Sequence, residues 1–168
     1  MNEARNAMHE LLLGATKSYI TFCVAKLNIV DLLIDKPMRA EELARLTSTN
    51  EELLYRLLRA SVSIGLLVEN EEKQFSVTDL GSTLKTGGVN SMKNLVFFYC
   101  DVNENPVSKL PELLQTQENK NNELTIFEKM MSQPEMREQL YGSIKEFNEW
   151  ALTDLLVTGY DYSKFKYI

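Results

Sequence analysis

Between Pro37 and Leu84 the apolar residues change period, from helical spacing to strand alternation. Ala40, Leu43, Ala44 and Leu46 recur at close to helical spacing after a proline that suits a helix entry, which predicts a helix over 38–46. Thr47–Ser48–Thr49–Asn50 reads as a turn in which Thr49 or Asn50 caps a second helix. Glu51 and Glu52 complement the positive end of that helix. Leu53, Leu54, Leu57, Leu58, Ser61, Val62 and Ile64 form one wide apolar face, and Gly65 stops it. Leu66–Val68 is then a short buried strand, Glu69–Lys73 a polar tip, and Phe75–Thr78 a returning strand. Helix, turn, helix and two strands around a charged tip is the winged-helix order.

On both sides of this unit the pattern is helical and more apolar than a small domain can cover alone. Residues 6–34 carry apolar side chains on more than one face around Leu11–Leu13 and Tyr19–Val24, with a bend predicted at Gly14. Gly87–Gly88 reads as a turn, Ser91–Cys100 as a strongly apolar helix, and Gln115–Glu123 as the nearest thing to a linker. Within 125–157 a long helix starts at Pro134 after a capping turn, and Met136, Leu140, Ile144, Phe147, Ala151 and Leu155 keep helical spacing. A helix apolar on several sides must be buried on several sides. The economical expectation is a homodimer in which the terminal helices of two chains interlock. The expected fold class is mainly α: a winged-helix core with a two-stranded wing, flanked by long dimerisation helices.

Charge bears on which job the winged helix does. A helix that reads DNA brings a positive face to the phosphates, whose contacts supply most of the affinity. Here the second helix sets Arg56 and Arg59 against Glu51 and Glu52, the tip holds three glutamates and one lysine, and the chain carries −6 overall. With a sequence pI near 4.9, the balance favours a scaffold over a nucleic-acid partner. The 168 residues, 44% of them hydrophobic, suffice for a real core as one domain with a helical extension.

Little in the chain points to chemistry of its own. Met1–Glu10 lacks the apolar run of a signal peptide, and no apolar run approaches membrane-spanning length, so a cytoplasmic location is expected. Cys23 and Cys100 lie in apolar helical surroundings without CxxC spacing and are expected to be reduced core residues. His9, the single histidine, reads as a surface or interface residue rather than a general base, and no metal site is expected. Glu41–Glu42, Glu51–Glu52 and Glu71–Glu72 are adjacent pairs, and the helical ones diverge around the axis as a solvated face. Glycine-rich phosphate loops, nucleophile elbows and HExxH are all absent.

The phrases AEELARLT, ELLYRLLRASVSIGLLVE and FSVTDLGSTL, in that order, closely resemble the N-terminal dimerisation half of S-adenosylmethionine-dependent small-molecule O-methyltransferases of the caffeate, acetylserotonin and bacterial polyketide-tailoring type. Leu27–Leu33 is similar to that family's "LGIADLL" phrase, Ile126–Met130 with Pro134–Glu135 to its "FEYL…HPE" phrase, and Tyr160–Phe165 to the "YDFSGF" that leads into its catalytic domain. Upstream, Asn103–Leu110 replaces the Trp-centred helix often seen in the family. The resemblance covers essentially the whole chain.

It implies a division into 1–36 (N-terminal dimerisation helices), 37–86 (winged helix), 87–159 (C-terminal helical part) and 160–168 (lead-in to a Rossmann catalytic half that this chain lacks). It implies S-adenosylmethionine as cofactor of the complete enzyme, with no cofactor bound by this chain and no catalytic residue within it. It also implies a few residues lent to the acceptor pocket: Tyr19 and Phe22 on the first helix, and Phe127, Tyr141, Ile144 and Asn148 on the late ones. The alternatives are one subunit of a split methyltransferase that works with a separate Rossmann chain, and a winged-helix transcriptional regulator.

Overall fold

The computed structural model describes residues 3–88, 90–100 and 131–153, together with 111, 114, 115, 128, 158, 159 and 161–164. Helix α1 runs unbroken over Glu3–Lys26. The bend expected at Gly14 is not there. A Cβ at Gly14 would meet nothing within 4 Å, so no neighbour pushes the helix off its axis, and the Ser18 hydroxyl donates to the Gly14 carbonyl across the next turn. The break falls instead at Asn28, whose left-handed backbone (φ 53°) turns the chain into α2, Ile29–Leu33. Asparagine is among the few residues that adopt that conformation readily.

The predicted winged helix is present, with one strand more than the pattern gave. Met38 and Arg39 do not open the helix; they form β1, and α3 spans Ala40–Thr47. Arg39 is extended, and its amide donates to the Glu42 carboxylate at 3.1 Å, so it caps α3 from outside. A strand of two residues is too short to show a period. Asn50, rather than Thr49, caps α4 (Glu51–Ser63), its side-chain oxygen accepting from the Leu53 amide, and the helix ends just before Gly65 as expected. Strands β2 (Leu67–Glu69) and β3 (Gln74–Val77) form the wing, and β3 lies between β1 and β2 in an antiparallel sheet. The register sets Met38 opposite Phe75 on one side and Leu67 opposite Val77 on the other.

At the wing tip the Asn70 side chain accepts from the amides of Glu72 and Gln74, and Lys73 takes a left-handed backbone (φ 62°). After the wing, Thr78 caps the short helix α5 (Asp79–Ser82) while its hydroxyl donates to the Gly65 carbonyl. The next turn can only be made by glycine. A Cβ on Gly81 would stand 2.0 Å from the Leu66 carbonyl oxygen, which gives the Thr78–Asp79–Leu80–Gly81 phrase its physical reason.

One hydrophobic core joins these parts. Val24, Ile29, Val30 and Leu33 meet Leu43, Leu54, Leu58, Leu66, Leu67, Phe75 and Leu84, with the Tyr55 ring edge-to-face against Phe75 at 5.9 Å. Leu53, expected on the buried face of α4, is exposed while its neighbour Leu54 is buried, since consecutive helical residues point about 100° apart. Val68, expected to be buried in its strand, is also exposed, since alternate strand residues point to opposite faces. Beyond the core lie α6 (Lys93–Cys100) and α7 (Pro134–Ala151), and α6 packs against both α1 and α7. Pro134 opens α7 at its first position, where its missing amide costs nothing, but Gln133 before it makes no side-chain cap. The result is a mainly helical domain with a small β-wing.

Candidate functional site

Helix α1 is 24 residues long, roughly 36 Å at the usual rise, yet only Val24 and Ala25 near its end are buried. Leu11 and Leu12 are 76% and 71% exposed, and Met8 and Tyr19 are also open. The covered part is short. Phe22 meets Phe97 of α6 edge-to-face at 6.0 Å, and the Lys26 amine lies 5.9 and 5.8 Å from the two ring centroids. Such a ring pair contributes about 0.5–1.5 kcal/mol beyond its buried area. Cys100, at the end of α6, donates to the Ser18 carbonyl at 3.7 Å. On α1, Leu11, Ala15, Ser18 and Phe22 follow one helical stripe, and α6 meets it at Ser18 and Phe22. Toward the N-terminus Ala15 and Leu11 are exposed.

Helix α7 has two faces. Leu140, Ser143 and Glu146 are buried, while Tyr141, Ile144 and Asn148, spaced three and four residues apart, share an exposed stripe. The structure therefore brings three of the proposed pocket residues together on one edge of α7. Tyr19 and Phe22 sit about one turn apart on α1, Tyr19 open and Phe22 engaged with α6. Phe127 lies outside the described residues. Phe147 and Trp150 stack edge-to-face at 5.9 Å near the end of α7.

Two charged side chains that sequence reasoning passed over hold these helices in place. Lys93 is 6% exposed, and its ammonium donates to Asn28 Oδ1 (2.6 Å), Asp31 Oδ2 (2.7 Å) and Thr86 Oγ1 (2.7 Å). Asp31 also accepts from the amide and hydroxyl of Thr86, both at 2.8 Å. Burial pushes the Asp31 carboxyl up, but the Lys93 and Thr86 hydrogen bonds outweigh it and hold it below its ordinary value. Glu146, also 6% exposed, accepts from the amides of Asn94 and Leu95 at the start of α6. A signal for Lys93 existed: it is the one charged residue in the apolar run SMKNLVFFYC.

On the wing, Glu69 accepts from Arg59 and from Tyr55, and the Arg59 bond is the main reason its carboxyl lies below the ordinary glutamate range. One of the two arginines of the second helix is thus turned onto its own wing. His9 is exposed on α1, beside the Glu10–Lys17 ion pair. Both cysteines are partly buried, Cys23 on α1 and Cys100 at the end of α6. Among the described residues no group of three or more His, Cys, Asp or Glu could hold a metal, and no helix is long and apolar enough to cross a membrane.

A winged helix whose first flanking helix leaves most of its apolar stripe uncovered defines an association domain. Comparison with known proteins makes the class specific. Residues 9–87 match the O-methyltransferase dimerisation domain, and that stretch carries the chain's likeness to the family. The chain is 28% identical over 157 residues to the 8-amino-8-demethylriboflavin N,N-dimethyltransferase of Streptomyces davaonensis, covering 88% of this chain and 44% of the relative. It is 37% identical over 84 residues to the phenazine O-methyltransferase PhzM of Lysobacter antibioticus, covering 50% of this chain and 25% of that one. Among solved structures, LaPhzM superposes with a TM-score of 0.89 at 26% identity over 98% of this chain and 50% of its own. The chain spans less than half the length of the curated relatives it matches.

Proposed function

We propose that this chain is the association half of an S-adenosylmethionine-dependent methyltransferase, forming a homodimer through α1 and completing an acceptor pocket from α1 and α7. The observation that carries the reading is the apolar surface of α1, where Met8, Leu11 and Leu12 stay exposed beyond the contact with α6. A second copy of the same helix is the simplest cover, because a two-fold interface needs only one self-complementary patch. Methyl transfer then belongs to a Rossmann half in the complete protein. The length of the relatives favours placing that half on the same parent chain rather than on a separate subunit.

Tyr19, Phe22, Tyr141, Ile144 and Asn148 are the pocket-edge residues of this reading. What supports them is that Tyr141, Ile144 and Asn148 share a stripe left free by α6. The two curated relatives are named for a nitrogen acceptor on a riboflavin and an oxygen acceptor on a phenazine. An aromatic acceptor is common to both, and this half does not fix the acceptor atom. The Cys23 thiol, outside any disulfide, accords with work in the cytoplasm.

Sedimentation of the chain at micromolar concentration is expected to give a dimer, and a well-behaved monomer would overturn the reading. Leu11→Glu with Leu12→Glu is expected to weaken association at least about a hundredfold, roughly 2.7 kcal/mol, while leaving the helical content of the monomer intact.

A further inference from the structure

We propose that Glu146 is a positioning residue: by accepting the free amides at the start of α6 it sets the rotation of α7 about its own axis, and with it the direction in which Tyr141, Ile144 and Asn148 face. The first four amides of a helix have no partner inside it, and for α6 all four can be traced. The Met92 amide donates to the Thr83 carbonyl at 2.7 Å and the Lys93 amide to the Ser91 hydroxyl at 3.3 Å. The Asn94 and Leu95 amides donate to the two oxygens of Glu146, at 3.2 and 2.9 Å. Val96 then begins the helical ladder on the Met92 carbonyl. Met92 stands where a capping oxygen would be and has none to offer. The carboxylate that takes its place comes from α7 and sits at the positive end of the α6 dipole.

This contact fixes angle as well as distance. The Asn94 side-chain amide donates to the same Glu146 oxygen at 2.9 Å, so three donors converge on one buried carboxylate. One turn earlier on the same face of α7 is Gly142, where a Cβ would stand 2.7 Å from the Asn94 side chain. An alanine there would push the Asn94 side chain, and with it the Asn94–Glu146 hydrogen bond, out of place. Turning α7 by one residue, roughly 100°, would swing Glu146 off the amides and bring a larger side chain against Asn94. The adjacent Lys93 holds the same end of α6 to Asn28, Asp31 and Thr86. A path of part-buried polar contacts therefore leads from α2 and Thr86 through the start of α6 to α7.

The consequence for an acceptor rests on reading that stripe as a pocket edge, whereas the orientation itself does not, so the test reads orientation directly. Trp150 is the only tryptophan and lies on α7. Amide exchange at Asn94 and Leu95 and acrylamide quenching of Trp150 are measured in the 168-residue chain for wild type, Glu146→Ala, Glu146→Gln and Gly142→Ala. Glu146→Ala is expected to speed exchange at both amides by about tenfold or more and to change Trp150 quenching. Glu146→Gln, which keeps one acceptor oxygen on the same skeleton but sets an NH2 group against the other donor, is expected to recover protection at one of the two amides and part of the quenching. Gly142→Ala is expected to alter quenching with the carboxylate still present.

A folded Glu146→Ala protein with wild-type exchange and quenching would overturn the proposal, as would a glutamine variant no better than alanine. If the alanine variant does not fold, unchanged quenching and exchange in Gly142→Ala would overturn it equally. Failure of the pocket reading would appear only in acceptor binding by the complete enzyme and would leave these readouts as stated.

Discussion

The winged-helix unit and the helices around it use apolar residues in opposite ways. Between Met38 and Leu84 a continuous set of large side chains turns inward, with Leu43, Leu58, Leu67 and Phe75 fully buried, while Leu46, Leu53, Val68 and Leu80 stay on the surface. In α1, with apolar residues at least as dense, only the last turns are covered. The difference shows where each region's stability comes from. The winged helix builds most of its core from its own residues, whereas α1 and the outer stripe of α7 carry exposed apolar side chains such as Leu11, Leu12, Tyr141 and Ile144.

Substitutions can break the contrast from either side. The largest effect is expected in the closed region. Phe75→Ala empties the centre of the sheet and removes the Tyr55 ring contact, at a cost of about 3–5 kcal/mol, read as a lower urea midpoint with loss of the wing. The two glutamates at Leu11 and Leu12, by contrast, are expected to leave that midpoint within about 0.5 kcal/mol when measured on the monomer. Equal losses for the two variants would remove the distinction between the regions.

The joint between the regions comes next. Asp31→Asn strands the buried Lys93 ammonium, whereas Lys93→Met removes the charge with it, so the first is expected to be the more destabilising. Because Asp31 is itself partly exposed, about 1–3 kcal/mol is expected for Asp31→Asn. The same pair sets an acid limit. The folded carboxyl titrates below its unfolded value, so the unfolded chain binds more protons in the acid range. Its contribution is whole above about pH 4 and is lost as the pH falls through the folded value. A urea midpoint that falls on acidification in wild type, and falls less in Asp31→Asn, checks the sign. The smallest effect belongs to the wing tip, where Lys73→Gly relieves a left-handed backbone at the cost of a more flexible unfolded chain. A gain of about 0.5 kcal/mol in thermal unfolding is expected.

Much of the winged helix was legible because its signals are local. Asn50 before Glu51–Glu52, Gly65 after Ile64 and the apolar spacing of Leu54 and Leu58 each act within one or two turns. The break after α1 was placed at Gly14 instead of Asn28, since composition marks a glycine more loudly than the left-handed backbone an asparagine adopts. Strand β1 escaped notice because two residues carry no period and its pairing with β3 is a long-range event. For the candidate pocket, the family resemblance singled out Tyr141, Ile144 and Asn148, and their spacing of three and four residues sets them on one stripe of α7. It did not show that Phe22 is taken up by Phe97, because that contact joins helices far apart in the chain.

The sequence by itself determined the order of elements, the family phrases and the excess of apolar surface on the flanking helices. Each follows from residue spacing or from side-chain chemistry within a few positions. Only the tertiary structure decided which of those surfaces stay open, and that Lys93 and Glu146 hold the two sides of α6. A buried charge tells its partner's identity by distance in space, and Glu146 lies 52 residues from the first amide it accepts. The uncovered stripe of α1 follows from the same cause, because α6 is eight residues long and α1 is three times that length.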